Sequence, residues 1–200
     1  MADGGLEGVL DFLYEMGLLK RSRRTGWWVA GVDDPESIAD HTFRTAVIGY
    51  ALATLEGADA GRTAVMCLLH DSQETRTGDI DAVGKAYVTP ASNEAVTDRQ
   101  TAALPERLGA AIGDVVAEYE RHASVEARLA HDADKLELAL QAREYQLQGG
   151  HDTADWLRSA LDALTTPAAG RLADAACRVR PDHWWRVAIE QRPPPPGHPS

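Results

Sequence analysis

The chain has 200 residues, and its content of 44% hydrophobic and 26% charged side chains is typical of one globular domain. This balance excludes a mostly disordered, collagen-like or fibrous protein. The 31 acidic and 20 basic residues give a net charge of −11 at pH 7, which argues against binding to a nucleic acid polymer. Since no apolar run approaches the roughly 20 residues of a membrane-spanning helix, we also expect no membrane segment.

Apolar residues recur at three- and four-residue steps over residues 6–16, which predicts a first helix there. Asp34 before Pro35 predicts the start of a second helix, which extends to about residue 55. A third helix is predicted over about 59–71. Five more helices are predicted after Pro90, at about 91–104, 105–121, 124–147, 151–164 and 167–180. No segment shows the sustained alternation of a strand, so the expected fold class is all-α.

The termini and the cysteines bear on domain organisation and location. Residues 1–8 are acidic and glycine-rich, and they lack the basic start and apolar run of an export signal. Cys67 lies in an apolar run and Cys177 lies far along the chain, a pattern that favours buried thiols in a reducing cytoplasm over a disulfide. We therefore expect a cytoplasmic protein with one domain over residues 1–190 and a disordered proline-rich tail over residues 191–200.

Histidines and acids occur in the predicted helices at positions that face the core. His41 falls on the apolar stripe of the second helix, and His70 and Asp71 follow the apolar run 64–69 in the third. A lone histidine is more often a hydrogen-bonded core residue than a ligand. Imidazole nitrogen and carboxylate oxygen together, however, are the ligands that borderline divalent cations accept, so the combination indicates a metal site.

Two further acids follow the third predicted helix. Glu74 stands three residues after Asp71, which on a continuing helix places the two side chains on neighbouring faces. Asp79 follows Gly78, where glycine lets the backbone turn and lets the acid approach the same place. A lone Gly-Asp pair is more often a turn or a helix cap, so its pattern alone assigns no function.

The His-Asp dipeptide by itself identifies nothing, because it also occurs at 131–132 and 151–152. The pair at 151–152 follows two glycines and is typical of a capped helix start. In the helix predicted over 124–147, Asp132 and Asp134 point to nearly opposite sides, and apolar residues lie near both. The pattern therefore leaves open which of these two acids faces the histidines.

Together these residues resemble the HD-domain metal-dependent phosphohydrolases, and within them the 5'-deoxynucleotidases that hydrolyse nucleoside monophosphates. Three segments carry the resemblance: LKRSRRTGWWVAGVDDPESIADH from residue 19, LLHDSQETRTGDI from residue 68, and EYERHASVEARLAHDADKLELALQA from residue 118. The resemblance implies an all-α, single-domain HD-type bundle with the metal site between central helices, and it implies a homodimer.

The resemblance also implies the members of the site. A divalent cation would be held by His41, His70, Asp71 and Asp134, and Asp134 is selected over Asp132 because the matched carboxylate immediately precedes Lys135-Leu136-Glu137. Two imidazoles and two carboxylates suit Mn, Co, Fe or Zn.

The resemblance further implies roles for the remaining polar residues of the motifs. Glu74 would orient water and phosphate, Asp79 would transfer a proton, and the guanidinium of Arg24 would contact the phosphate. Glu118 would support the substrate or a metal ligand.

One position departs from the family pattern. Family members that prefer deoxyribose carry a tryptophan directly after the matched arginine, whereas this chain has Thr25 as the candidate substrate contact. Trp27 and Trp28 follow, and either ring could stack on a base or cover the core. Selection against the 2'-hydroxyl therefore stays open.

The expected function is metal-dependent removal of the 5'-phosphate from (deoxy)nucleoside monophosphates, with a small nucleotide as the only ligand besides the cation. The same site could act instead on another phosphorylated metabolite, such as a nucleoside di- or triphosphate. A di-iron oxygenase would need further histidines, and between Asp71 and Asp134 the chain offers only His122 and His131. A non-catalytic nucleotide-binding protein is the remaining alternative.

Overall fold

The computed structural model describes residues 4–192, and this part of the chain is all-α, as predicted. The only bridge between extended backbones in these residues joins Arg23 and Ser37. The predicted disordered tail lies outside the described residues, apart from its first two positions. The helices are α1 Gly4–Met16, α2 Gly26–Val29, α3 Ile38–Glu56, α4 Ala60–Leu69, α5 Glu74–Thr77, α6 Asn93–Thr101, α7 Glu106–Arg121, α8 Val125–Gly149, α9 Ala154–Asp162, α10 Pro167–Arg178 and α11 His183–Glu190, with short 3-10 helices at Gly17–Lys20 and Gly84–Ala86.

The core forms where α3, α4 and α8 pack against one another. Leu52 of α3, Met66 of α4, and Leu129 and Leu136 of α8 are fully buried there. Burial of each such side chain contributes about 1.5–3 kcal/mol, so these three helices hold the centre of the bundle in place. Among the described helices, none is both long enough and apolar enough to cross a bilayer.

The second predicted helix begins three residues later than expected. Ser37 is the N-cap of α3: its hydroxyl accepts a hydrogen bond from Asp40 N, and the Asp40 carboxylate accepts one from Ser37 N. This capping box, and not Asp34 before Pro35, satisfies the first free N–H groups of the helix. It also fixes the register that turns His41 inward.

The third predicted helix ends at Leu69, two residues early, and does not continue to Glu74. The Ser72 hydroxyl donates to Leu69 O at 2.7 Å, which uses a carbonyl that a continuing helix would need. A turn over residues 70–73 follows before α5 begins at Glu74. The relative placement of Asp71 and Glu74 is therefore set by this turn.

Candidate metal centre and substrate cavity

The four residues predicted as metal ligands lie together where α3, the end of α4 and α8 meet. We call His41, His70, Asp71 and Asp134 the His-Asp cluster. His41 Nε2 is 3.3 Å from both His70 Nε2 and Asp134 Oδ1, and His70 Nε2 is 3.2 Å from Asp71 Oδ2. Metal–ligand distances of about 2.0–2.2 Å place neighbouring donor atoms about 3 Å apart, so these atoms are spaced to surround one cation.

The outer nitrogens of both imidazoles are already engaged, which orients the rings. His70 Nδ1 lies 2.8 Å from Cys67 O; because a carbonyl only accepts, this nitrogen carries the proton. His41 Nδ1 lies 2.6 Å from Glu137 Oε2, and the carboxylate favours the same tautomer. In the neutral rings both Nε2 atoms then present lone pairs to each other and to two carboxylates, a donor set that fits a divalent cation.

The charges at the centre favour a cation as well. Burial and Arg24 lower the pKa of His41, but the carboxylates of Asp134 and Glu137 outweigh them and raise it to about 10. The pKa of Glu74 is raised to about 9, first by burial and then by Asp71 and Asp79. Glu74 Oε2 is buried and has no hydrogen-bond partner among the described residues. An unpaired buried oxygen of this kind indicates a polar group that completes the site.

Arg24 and Asp79, predicted to act on the phosphate, lie at the edge of the cluster. Arg24 Nη1 donates to Asp71 Oδ2 at 3.3 Å, and both side chains are largely buried. Asp79 Oδ2 accepts hydrogen bonds from the backbone N–H and the hydroxyl of Thr25. The hydroxyl of Thr25, which was predicted to contact the substrate, is thus hydrogen-bonded to Asp79, and Thr25 does not line the cavity next to the cluster.

Glu118 is not brought to the cluster. Its carboxylate accepts from Arg62 Nε at 3.0 Å, and this pair joins α7 to α4. The next residue, Tyr119, does reach the centre, with its ring centroid 5.5 Å from that of His70. One helical step is about 100°, which explains why neighbours on α7 face different surroundings.

The structure distinguishes the two acids that the helix pattern left open. Asp134 belongs to the cluster, whereas Asp132 accepts hydrogen bonds from the backbone N–H groups and hydroxyls of Thr165 and Thr166, just before α10. His131 likewise turns away: its Nε2 lies 3.0 Å from Tyr119 O, and its ring stacks between Tyr119 and His122. Neither His122 nor His131 adds a ligand to the cluster.

The cluster opens into a cavity of about 520 Å³, a volume in the range of small-molecule sites. Six acids and three basic residues line it: Asp71, Glu74, Asp79, Asp81, Asp134 and Asp155, against Arg24, Lys85 and Lys135. A phosphate dianion is repelled by this excess of negative charge unless a cation is also bound. The larger cavity of about 760 Å³, between α6 and α7, contains none of the predicted site residues.

Several residues at this site were not predicted from the sequence. Glu137 bonds His41, and Lys135 Nζ donates to Asp134 Oδ2 at 2.8 Å, although both were noted only as part of a motif. A signal for Glu137 was present, because a buried acid three residues after Asp134 falls on the same face of α8. Trp156 and Ser159 of α9 also line the cavity, and their pattern gave no such signal.

Known proteins match most of this chain in sequence. Residues 16–169 match the HD domain family. The 5'-deoxynucleotidase HDDC2 of Bos taurus is 37% identical over 150 residues, which cover 73% of this chain and 72% of that protein.

Solved structures also match. A conserved hypothetical protein from Pyrococcus furiosus superposes with a TM-score of 0.71 at 27% identity, covering 85% of this chain and 99% of that one. A predicted metal-dependent phosphohydrolase from Magnetospirillum magnetotacticum MS-1 superposes with a TM-score of 0.65 at 25% identity, covering 88% and 97%. The chain belongs to the HD-domain family.

Proposed function

We propose that this protein is a metal-dependent phosphohydrolase that removes the 5'-phosphate from nucleoside monophosphates, deoxynucleotides among them. The observation that carries the proposal is that the two imidazole Nε2 atoms lie 3.3 Å apart and that each lies within 4 Å of a carboxylate oxygen of Asp71 and of Asp134. The similarity to relatives named 5'-deoxynucleotidase supports the same substrate class.

The His-Asp cluster would hold one divalent cation, and its mixed nitrogen and oxygen donors suit Mn, Co, Fe or Zn. When bound, such an ion supplies Lewis-acid polarisation of the phosphoryl group. Within residues 4–192, two sets of three side chains are close enough together to hold a metal, and both sets include His41. Because they share this residue, they support a single centre over a di-iron one.

Arg24 would bind the phosphate. Its guanidinium lies beside Asp71 at the inner end of the cavity, where its remaining N–H groups can donate to two phosphate oxygens at once. Desolvation there strengthens each of these charge-assisted hydrogen bonds.

Glu74 and Asp79 flank the same end of the cavity. The unpaired Oε2 of Glu74 is available to orient a water molecule against the phosphorus. Asp79, held by two hydrogen bonds from Thr25, transfers a proton between the attacking water or the leaving 5'-oxygen and solvent. Thr25 acts through Asp79, as a positioning residue.

The experiment is to measure phosphate release from a full set of ribo- and deoxyribonucleoside monophosphates with Co, Mn, Mg or Zn. We expect hydrolysis of 5'-monophosphates that depends on the added ion. Pyrophosphate release from triphosphates, with monophosphates untouched, would contradict the proposed reaction. Oxygen consumption with two irons per chain would assign the protein to the oxygenases.

Two further expectations accompany the proposal. A homodimer and a cytoplasmic location stay predictions, and light scattering of the purified protein in solution tests the first of them.

A further inference from the structure

The cavity is longer than the phosphate end requires. Away from the His-Asp cluster it is lined by apolar and hydrogen-bonding side chains from four segments. These side chains are Trp27 of α2, Ile80 of the loop after α5, Leu138 of α8, and Trp156 and Ser159 of α9. Inorganic phosphate or a small phosphate ester would leave this region unfilled. An aromatic, partly polar group attached to the phosphate would fill it.

Trp156 dominates this second region. It lies on α9 and is half-buried, and its ring stacks on Trp27, with centroids 6.3 Å apart and planes at 24°. Trp27 is almost completely buried, and its indole N–H donates to Glu36 at 3.0 Å. Both rings line the cavity, but Trp27 is a fixed, buried support, whereas Trp156 is the more accessible ring.

The edge of the Trp156 ring lies next to the segment that carries Arg24. A Cβ on Gly26 would lie 3.8 Å from Trp156 Nε1, so this edge adjoins the backbone two residues after Arg24. The phosphate end and the aromatic end of the cavity are thus joined through the segment 24–27.

We propose that Trp156, supported by Trp27, forms the nucleobase subsite of this cavity, an inference that rests on the proposed function. The base packs against the indole of Trp156, and Ser159 one helical turn later offers a hydroxyl to the edge of the base or sugar. Trp28, the alternative ring in the sequence, is 53% exposed and does not line the cavity.

The test compares two substrates that differ only in the base. Steady-state kinetics of the metal-loaded enzyme are measured with a deoxynucleoside 5'-monophosphate and with deoxyribose 5-phosphate. Trp156→Leu keeps an apolar cover over Trp27 but removes the aromatic face. We expect it to raise KM for the nucleotide roughly 5- to 100-fold, the range that loss of one base–aromatic stack gives, and to leave kcat/KM for the sugar phosphate unchanged.

Two further variants complete the comparison. Trp156→Phe retains an aromatic ring, so its KM for the nucleotide should be close to that of the wild type. Trp184→Ala removes a tryptophan that is 72% exposed and does not line the cavity, and it should leave the kinetics with both substrates unchanged. An equal loss with both substrates would show that Trp156 only supports the fold. An unchanged nucleotide KM in Trp156→Leu would overturn the subsite.

Direct binding separates this inference from the proposed reaction. If the wild-type enzyme hydrolyses neither substrate, the proposed function fails. Calorimetric titration with the deoxynucleoside monophosphate then still tests the subsite: the wild-type protein should bind it, and Trp156→Leu should bind it roughly 5- to 100-fold more weakly. Equal affinity in the two proteins contradicts the subsite.

Discussion

The imidazole of His41 is held from both sides, by the cluster at Nε2 and by Glu137 at Nδ1. Glu137 is itself fixed by Arg44, which donates to its second oxygen through Nε and Nη2 at 2.9 and 2.7 Å. This chain of contacts runs from α3 to α8 and back to α3. It sets the direction of one lone pair at the metal centre.

Replacement of Glu137 should therefore weaken metal binding without touching a ligand. We expect Glu137→Gln to lower the affinity for Co²⁺ or Mn²⁺ about 10- to 100-fold, because the amide lacks the charge that stabilises Nδ1–H. Calorimetric titration measures the change. The matched control is Glu144→Gln, since Glu144 also accepts from Arg44, at 2.8 Å, but does not contact His41. Equal losses in the two variants would show that Arg44 packing, and not His41, is responsible.

We expect Asp79 to contribute to catalysis but not to metal binding. In Asp79→Asn the proton acceptor is lost, so kcat should fall about 10²- to 10⁴-fold while the metal content stays at the wild-type level. Phosphate release and elemental analysis of the same sample give both values. Asp81→Asn, two residues further on the same loop, should keep kcat close to wild type. A wild-type kcat in Asp79→Asn would remove Asp79 from the proposed mechanism.

Asp132 and Asp134, two residues apart on α8, have different roles. Asp132 is 1% exposed and accepts several hydrogen bonds from Thr165 and Thr166, which fasten the start of α10 to α8. Asp132→Ala should lower the free energy of unfolding by about 3 kcal/mol, because buried donors lose a charged acceptor. Urea denaturation measures this loss. The folded fraction should still bind one cation, and loss of the ion from Asp132→Ala would contradict the assignment.

At the scale of helices, the sequence pattern predicts the long elements well and the short ones poorly. The helices predicted at 105–121 and 124–147 correspond to α7 and α8 within two residues, because both are long enough to show a helical pattern in the sequence. The helices α2 and α5 have four residues each, too few for a periodic signal. The turn over 70–73 is held by local hydrogen bonds of the backbone and of the Ser72 hydroxyl, and it produces no periodic pattern in the sequence.

The metal ligands could be predicted from residue types and the family pattern, but the side chains around them could be identified only from the structure. The residue types of His41, His70 and Asp71 indicate a metal site, and the resemblance adds Asp134 to it. The positions of Thr25 and Glu118 were set by partners far along the chain, Asp79 and Arg62, which spacing alone does not reveal. Trp156 reaches the cavity because α9 packs back on α8.

The contacts of α1 with α5 show how an element away from the cluster supports the site. Glu15, next to the end of α1, accepts hydrogen bonds from Arg76, Thr75 and Gln100, and α5 also carries Glu74. Hydrogen bonding by Arg76 is the main cause that lowers the pKa of Glu15 to about 2. Because its pKa is lowered, the ionised Glu15 stabilises the fold at pH values above its ordinary pKa of about 4.5. This stabilisation is lost as the pH falls towards 2.

Glu15→Gln should lower the free energy of unfolding by about 1 kcal/mol at pH 7, since the ion pair is partly exposed to solvent. The difference from wild type should shrink as the pH is lowered from 4.5 towards 2. Urea denaturation at several pH values measures it. Glu7→Gln, an exposed acid on the same helix, serves as control. A difference that is independent of pH would show that the charge of Glu15 does not contribute.

At the scale of the whole molecule, the acidic centre lies at the junction of the three helices that form the core. Burial and the neighbouring Asp71 and Asp79 raise the pKa of Glu74, so a charge on Glu74 opposes folding, and a bound cation would offset this cost. A ligand present at 100 times its Kd adds about 2.7 kcal/mol to the free energy of unfolding. Cation binding and stability of the bundle are therefore coupled.

Calorimetric titration of the metal-free protein with Co²⁺ tests the central claim most directly. One ion per chain is predicted for the wild type, with binding lost in His41→Ala and in Asp134→Asn. Asp152→Asn, which changes the acid of the exposed third His-Asp dipeptide, should bind like wild type. Unchanged binding in His41→Ala or Asp134→Asn, or two ions per chain, would contradict a single centre formed by these four residues.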